Sequence, residues 1–304
     1  LEFMSSAPAI FTNEVITERE EGYLLPIFYP GKEEDIVFLH RSTDLVWKIV
    51  RLELPTQAED ILLDSQEQIW AFDLNAAEAL LWVAEPGDLF MRQPGQAAVP
   101  IAFSSPIADA KWTDQGILVE TQGAEIHLID TAGNPLAQLL PPVGTRWEEG
   151  NARLKWNVSG NFFMRLHIHP GREERWLLTY QLPDFQPVDT LFLDSYPNVD
   201  ENSLLVTIGG LWFDFVYPDR VILSRTNRMY DIDLASHLGS VVWEREACLV
   251  TEEGLALSAS GERVISGCSQ LTQSPYRDRQ AQGEKERGLM LLKDGFTTLT
   301  TSYP

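Results

Sequence analysis

His167 and His169, two residues apart, are the first place in this 304-residue chain to look for chemistry. On a strand, residues i and i+2 project from one face. Both imidazoles are therefore placed to hold a divalent cation, with Asp184 or a residue of a neighbouring sheet as third ligand. Local spacing fixes no third ligand, and Phe163 and Arg165 share that face, so the reading is two structural histidines and no metal. Asp231 and Asp233 form a second same-face pair, across Ile232 and after Tyr230. Paired carboxylates divide acid and base work when their surroundings separate their pKa values, and glycoside chemistry needs them across a bound sugar. At a strand end this spacing more simply caps a turn or holds a backbone amide.

Other reactive motifs are missing or read as turns. Gly209-Gly210 lacks the Lys and following Ser or Thr of a phosphate-binding loop. Ser159-Gly160 and Ser266-Gly267 lack the frame of a nucleophile elbow, and no calcium loop of EF-hand type is present. Cys248 and Cys268 are the two cysteines, too few for a disulfide framework, and they read as reduced core thiols in a reducing compartment. His40, His127 and His237 have no companion in sequence. The sequence thus assigns no catalytic residue, no metal ligand and no cofactor.

Charge says more about partners. With 45 acidic against 23 basic side chains, the net charge is −22 at pH 7. A field of that sign repels nucleic-acid phosphates and anionic lipid and attracts basic surfaces. Nucleic acid is therefore disfavoured, and another protein with a basic surface is the expected partner. The acidic residues fall in short groups, such as Glu33-Glu34-Asp35 and Glu252-Glu253, which read as solvated turns. No apolar run reaches bilayer length and no leader pattern opens the chain, so no membrane partner is expected and the cytoplasm is the expected address. Leu1-Glu2-Phe3 ahead of Met4 reads as a cloning scar, and residues 1–9 as tag remnant and flexible N-terminus.

The elements that must position these residues are short strands. In the middle of the chain, residues 108–112, 116–121, 125–129 and 136–140 read as four antiparallel strands, with turns at Gln122-Gly123 and Gly133-Asn134-Pro135. The apolar run 136–140 reads as a strand covered on both faces. Residues 154–158, 162–168, 175–182 and 188–193 repeat the layout. A further group runs through 203–208, 212–216, 220–224, 229–234 and 240–243, and another through 247–251, 255–260 and 263–266. Towards the start, 23–28, 35–40 and 45–54 form one group, and 61–64, 69–74 and 79–83 another, with residues 75–81 able to make a helical turn. The nine Trp are spread through every group, as packing between neighbouring sheets requires.

Strand groups returning about every 40 to 50 residues fit an all-β fold, a β-propeller of six or seven four-stranded blades. The domain is expected to span residues 10–304, with a strand at 289–292 or 297–301 pairing near residues 10–16. Two consecutive β-sandwich domains, split near residues 142–153, are the alternative. In general shape the chain resembles the WD40-like β-propeller superfamily, over most of its length. Trp156 and Trp243 sit at strand positions, but no copy carries the Gly-His opening and Trp-Asp ending of that family. No family residue therefore transfers onto a position here, and the resemblance implies only a protein-interaction platform.

On this reading the function is a non-catalytic scaffold or adaptor acting through a propeller face. The alternative is a propeller-fold hydrolase or lyase with its site at the mouth of the central channel. Tyr196-Pro197-Asn198 and Tyr217-Pro218-Asp219 read as loops at blade edges, and Tyr196, Trp212 and Tyr217 as a recognition surface. Residues 270–288 form a polar loop near the last blade, whose Arg277 and Arg279 are its docking residues.

Overall fold

The computed structural model describes residues 11–19, 24–41, 46–140, 156–169, 174–195, 211–225, 228–244, 248–249, 254–270 and 286–294. Among the described residues every regular element is a strand. After β1 (Phe11–Arg19) come five runs of four. The first is β2 (Leu24–Tyr29), β3 (Lys32–Arg41), β4 (Trp47–Glu53) and β5 (Ala58–Ser65). The second is β6 (Ile69–Leu74), β7 (Leu80–Ala84), β8 (Asp88–Arg92) and β9 (Val99–Ile101). The third is β10 (Ile107–Thr113), β11 (Gly116–Thr121), β12 (Ile126–Ile129) and β13 (Pro135–Leu139). The fourth is β14 (Trp156–Ser159), β15 (Phe162–His169), β16 (Glu174–Gln181) and β17 (Gln186–Ser195). The fifth is β18 (Leu211–Val216), β19 (Arg220–Arg225), β20 (Arg228–Asp233) and β21 (Leu238–Glu244). Each run is one sheet with its strands in chain order, the form of a propeller blade.

The remaining sheet carries β22 (Cys248–Leu249) and β23 (Leu255–Leu257) along one side of β24 (Arg263–Gln270), then β25 (Glu286–Asp294), then β1. Among the described residues the expected six or seven four-stranded blades are thereby corrected to five. The other sheet takes five strands because two short strands share one side of β24 and β1 is added outside β25. Asn13 opposes Leu292 and Val15 opposes Met290, so residues 289–292 pair near the N-terminus as the sequence suggests. Consecutive strand order also differs from the Greek-key connections of a sandwich. Two compact units result, Ser65–Asp200 with the second, third and fourth sheets, and Glu2–Asp64 with Glu201–Pro304, which holds the others.

Three strand readings change. Residues 61–64, expected to open the second group, belong to β5 and close the first sheet. Its place is filled by β8 and β9, which the sequence reading did not anticipate. Residues 75–79 make a turn and no helix, because Asn75 Oδ1 accepts the N–H groups of Ala77 and Ala79 at 3.0 and 2.9 Å, a side-chain acceptor that competes with helical pairing. The apolar run 136–140 is not covered on both faces, since it lies at a sheet edge, where Leu136 is 52% and Leu140 67% exposed. Full coverage belongs to inner strands instead: all five residues of β7 are buried. Residues 203–208 lie outside the described residues.

Seams between successive sheets of Ser65–Asp200 are apolar, with tryptophan N–H groups anchored across them. Leu81, Val83 and Ala71 of the second sheet pack with Ile117, Val119 and Ile129 of the third, and the Trp112 indole N–H donates to the Ala79 carbonyl at 3.0 Å. Between the third and fourth sheets, Leu118, Ile126 and Leu128 pack with Trp156, Phe163 and Tyr180. Placing an indole there satisfies its single donor while burying the ring.

Candidate functional site

The residues singled out in sequence fall at separate places in the fold. His167 is buried on β15, His169 ends that strand, and Asp184 is exposed in the turn after β16. Among the described residues no group of three or more His, Cys, Asp or Glu is assembled for a metal ion. Asp231 accepts both Nε and Nη2 of Arg220, at 2.7 and 2.6 Å. Asp233 accepts the N–H and hydroxyl of Ser236, at 2.7 and 2.6 Å, and these bonds hold its carboxyl below the usual carboxylate range. The pair therefore divides into an ion-pair partner and a turn cap. Trp212 is 8% exposed on β18 and Tyr217 is half-buried in the turn that follows. Tyr196, Arg277 and Arg279 lie outside the described residues. Cys248 lies on β22 and Cys268 on β24.

A buried ionic group missed in sequence ties the third and fourth sheets. Glu120 on β11 accepts the Trp156 indole N–H at 2.7 Å and Arg165 Nη2 at 3.0 Å. Arg165 is wholly buried and Glu120 1% exposed. Burial pushes the Glu120 carboxyl up against the pull of Arg165 and Trp156, and pushes the guanidinium down. Burial also raises the Tyr180 phenol to about 12, opposed by Arg165. Nothing here reaches solvent, so the group's work is to fix how the two sheets meet.

A cleft of about 390 Å³ opens beside the second sheet, within the range of roughly 300–1,000 Å³ usual for ligand pockets. In a four-stranded meander the turn between the second and third strands and the exit from the fourth leave from one end. The β7–β8 turn and the 102–106 linker are thus brought together, and hydrogen bonds lock them. Ile107 N–H donates to the Gly87 carbonyl at 2.9 Å, and Gln122 N–H donates to the Pro106 carbonyl at 2.9 Å. The Gln122 side-chain amide donates to the Pro86 carbonyl at 2.7 Å. Gly87 has φ +128°, and a Cβ there would lie 2.9 Å from both Ile107 N and Pro106 Cβ. The close approach therefore needs glycine.

Leu89, Ile101 and Ile107, all nearly inaccessible, line the cleft together with Phe90 and Phe103. Phe90 stacks on Trp82 with centroids 5.4 Å apart, and Phe103 meets the His127 ring edge-on at 5.2 Å. Both rings are held before any ligand arrives. Polar groups come from exposed Asp88 and Ser104, with exposed Glu85 on the same turn. Rigid rings, backbone and one carboxylate form a surface suited to recognition. The signal in sequence was turn chemistry, Pro86-Gly87 and Ser104-Ser105-Pro106 on either side of two unrecognised strands.

Solved structures resemble this arrangement throughout. The WD40 repeats of RRP9 align with a TM-score of 0.55 at 7% identity, over 93% of this chain and 97% of that one. The likeness shows a β-propeller fold. The structure of U3-55K aligns with a TM-score of 0.54 at 7% identity, over 92% of this chain and 98% of that one. The WD40 β-propeller domain of Doa1 aligns at 0.50 and 9% identity, over 86% and 83%. At such identities the likeness concerns the fold alone. No family model and no curated protein matches the chain. Within Ser65–Asp200 the 102–106 linker joins the second sheet to the third, and the cleft lies beside it.

Proposed function

We propose that this chain is a non-catalytic protein-interaction platform whose docking point includes the cleft between the β7–β8 turn and the 102–106 linker. The carrying observation is the cleft itself, in which hydrogen-bonded turns hold two aromatic rings ready beside an exposed carboxylate. WD40-repeat propellers typically serve as interaction scaffolds, which supports the reading. The net charge of −22 favours a partner with a basic surface by long-range attraction. Tyr196, Tyr217, Arg277 and Arg279 belong to the proposal as further contact residues, each taken by itself. Trp212, with its ring covered, does not.

A photo-cross-linking amino acid at Ser104, with a control at exposed Ala235, tests this in cells. The expected result is a protein cross-linked from Ser104 only, which binds the purified chain directly and binds Ser104→Trp at least tenfold more weakly. A partner that binds Ser104→Trp as tightly as wild type, or the absence of any Ser104-specific cross-link, rejects the docking point.

A further inference from the structure

Resting on that reading, we infer that the cleft takes an extended, proline-rich segment carrying a Lys or Arg. Three of the groups that line it are prolines, Pro86, Pro100 and Pro106, and proline has no N–H to donate. Pro100 also occupies the centre of β9, a strand of three residues at the edge of its sheet. A partner strand added there would meet no continuous ladder of donors, so β-augmentation is a poor fit.

A polyproline II helix suits the same surface. It makes no internal hydrogen bonds, presents pyrrolidine rings to aromatic faces, and is preformed, so little order is lost on docking. Phe90 and Phe103 supply those faces, each already fixed by Trp82 and His127. The choice of charge follows from Asp88, whose exposed carboxylate lies on the cleft wall. An acidic segment would bring like charges together, whereas a basic one gains a rim ion pair that sets register and specificity.

The test is a random dodecapeptide library displayed on phage, panned against the full chain, Ser104→Trp and Asp88→Lys in parallel. Both substitutions change exposed residues, and a urea midpoint within error of wild type checks that each variant is folded. The wild-type pool should be enriched at least threefold in Pro and in Lys or Arg over the Ser104→Trp pool. The best sequence, made as a fluorescein-labelled peptide, should bind Asp88→Lys at least tenfold more weakly, and replacing its prolines with alanine should cost as much. Pools that match one another, enrichment in acidic or alternating β-branched sequences, or winners indifferent to Asp88→Lys overturn the inference. A cellular partner cross-linked at Ser104 through a helix or a folded surface would end this inference and leave the platform standing. Selected peptides without any cellular cross-link would do the reverse.

Discussion

The Asp73 carboxylate, on the first strand of the second sheet, accepts the main-chain N–H of Trp112, on the first strand of the third, at 2.7 Å. Asp214 repeats the contact with the Leu257 N–H, also at 2.7 Å. Spacings of 39 and 43 residues match one sheet of chain, so the same clasp recurs between consecutive sheets in each compact unit. Asp109, Asn157 and Asp214 also each accept the N–H of the next residue, at 2.8, 2.9 and 2.8 Å.

Removing the clasp should destabilise the fold. Asp73→Ala leaves the Trp112 N–H without its acceptor, a loss of about 1–3 kcal/mol. Asp73→Asn keeps an acceptor oxygen and should lose less. Urea midpoints of the two variants give the comparison, and equal losses would mean the hydrogen bond is not what matters. Asp214→Ala should behave like Asp73→Ala.

Acid dependence should carry two opposite signs. Desolvation holds the Asp73 carboxyl above its ordinary range, opposed by Lys111 and by the Trp112 and Leu74 N–H groups. In the window above the unfolded value of about 3.9 the native state binds more protons. The stability from Asp73 is thus full below that value and lost as pH rises through the folded one. Asp73→Asn should therefore gain on wild type as pH rises across the acid range. At Asp130, bonds from Asn134 hold the carboxyl down, so its contribution is present above the unfolded value and lost as pH falls. Denaturation midpoints against pH for Asp73→Asn and Asp130→Asn should diverge from wild type in opposite directions.

The Glu120 and Arg165 pair makes a double-mutant prediction. Removing either charge takes the nearest opposite charge from the other in a buried setting, at a cost of about 3–5 kcal/mol. Arg165→Met and Glu120→Gln should each fall in that range. The double variant should recover a substantial part of the loss, since neither buried charge remains. Additive losses in a urea double-mutant cycle would contradict a direct interaction.

Gly87→Ala couples fold to site. A methyl group there must displace Ile107 N and Pro106 Cβ, and Gly87 holds a φ of +128° that other residues adopt at a cost of about 1–3 kcal/mol. The melting temperature should fall by several degrees, and the selected peptide should bind more weakly even at temperatures where the variant is fully folded. Unchanged affinity would separate the turn from the cleft.

Strands of the third, fourth and fifth sheets were readable because Gly, Pro, Asn and Asp punctuate them at every turn. The cleft was not. Its strands are short or interrupted by proline, as in Val99-Pro100-Ile101, and so lack the alternation by which a strand is recognised. The clasp aspartates were equally hidden, because one carboxylate within an apolar strand gives no hint that its partner lies a whole sheet later. Asp233 was legible as a turn cap from spacing alone, whereas Asp231 was not, because its partner is the Arg220 side chain of the neighbouring strand.

Pairing of β1 with β25 joins the first described strand to the last, and this bears on biosynthesis. Phe11–Arg19 leaves the ribosome before Glu286–Asp294, which follows after roughly 270 further residues, about 15–50 s at ordinary elongation rates. For that interval the leading strand has no mate in its own sheet. Until then its edge groups stand open as a template for pairing with another chain.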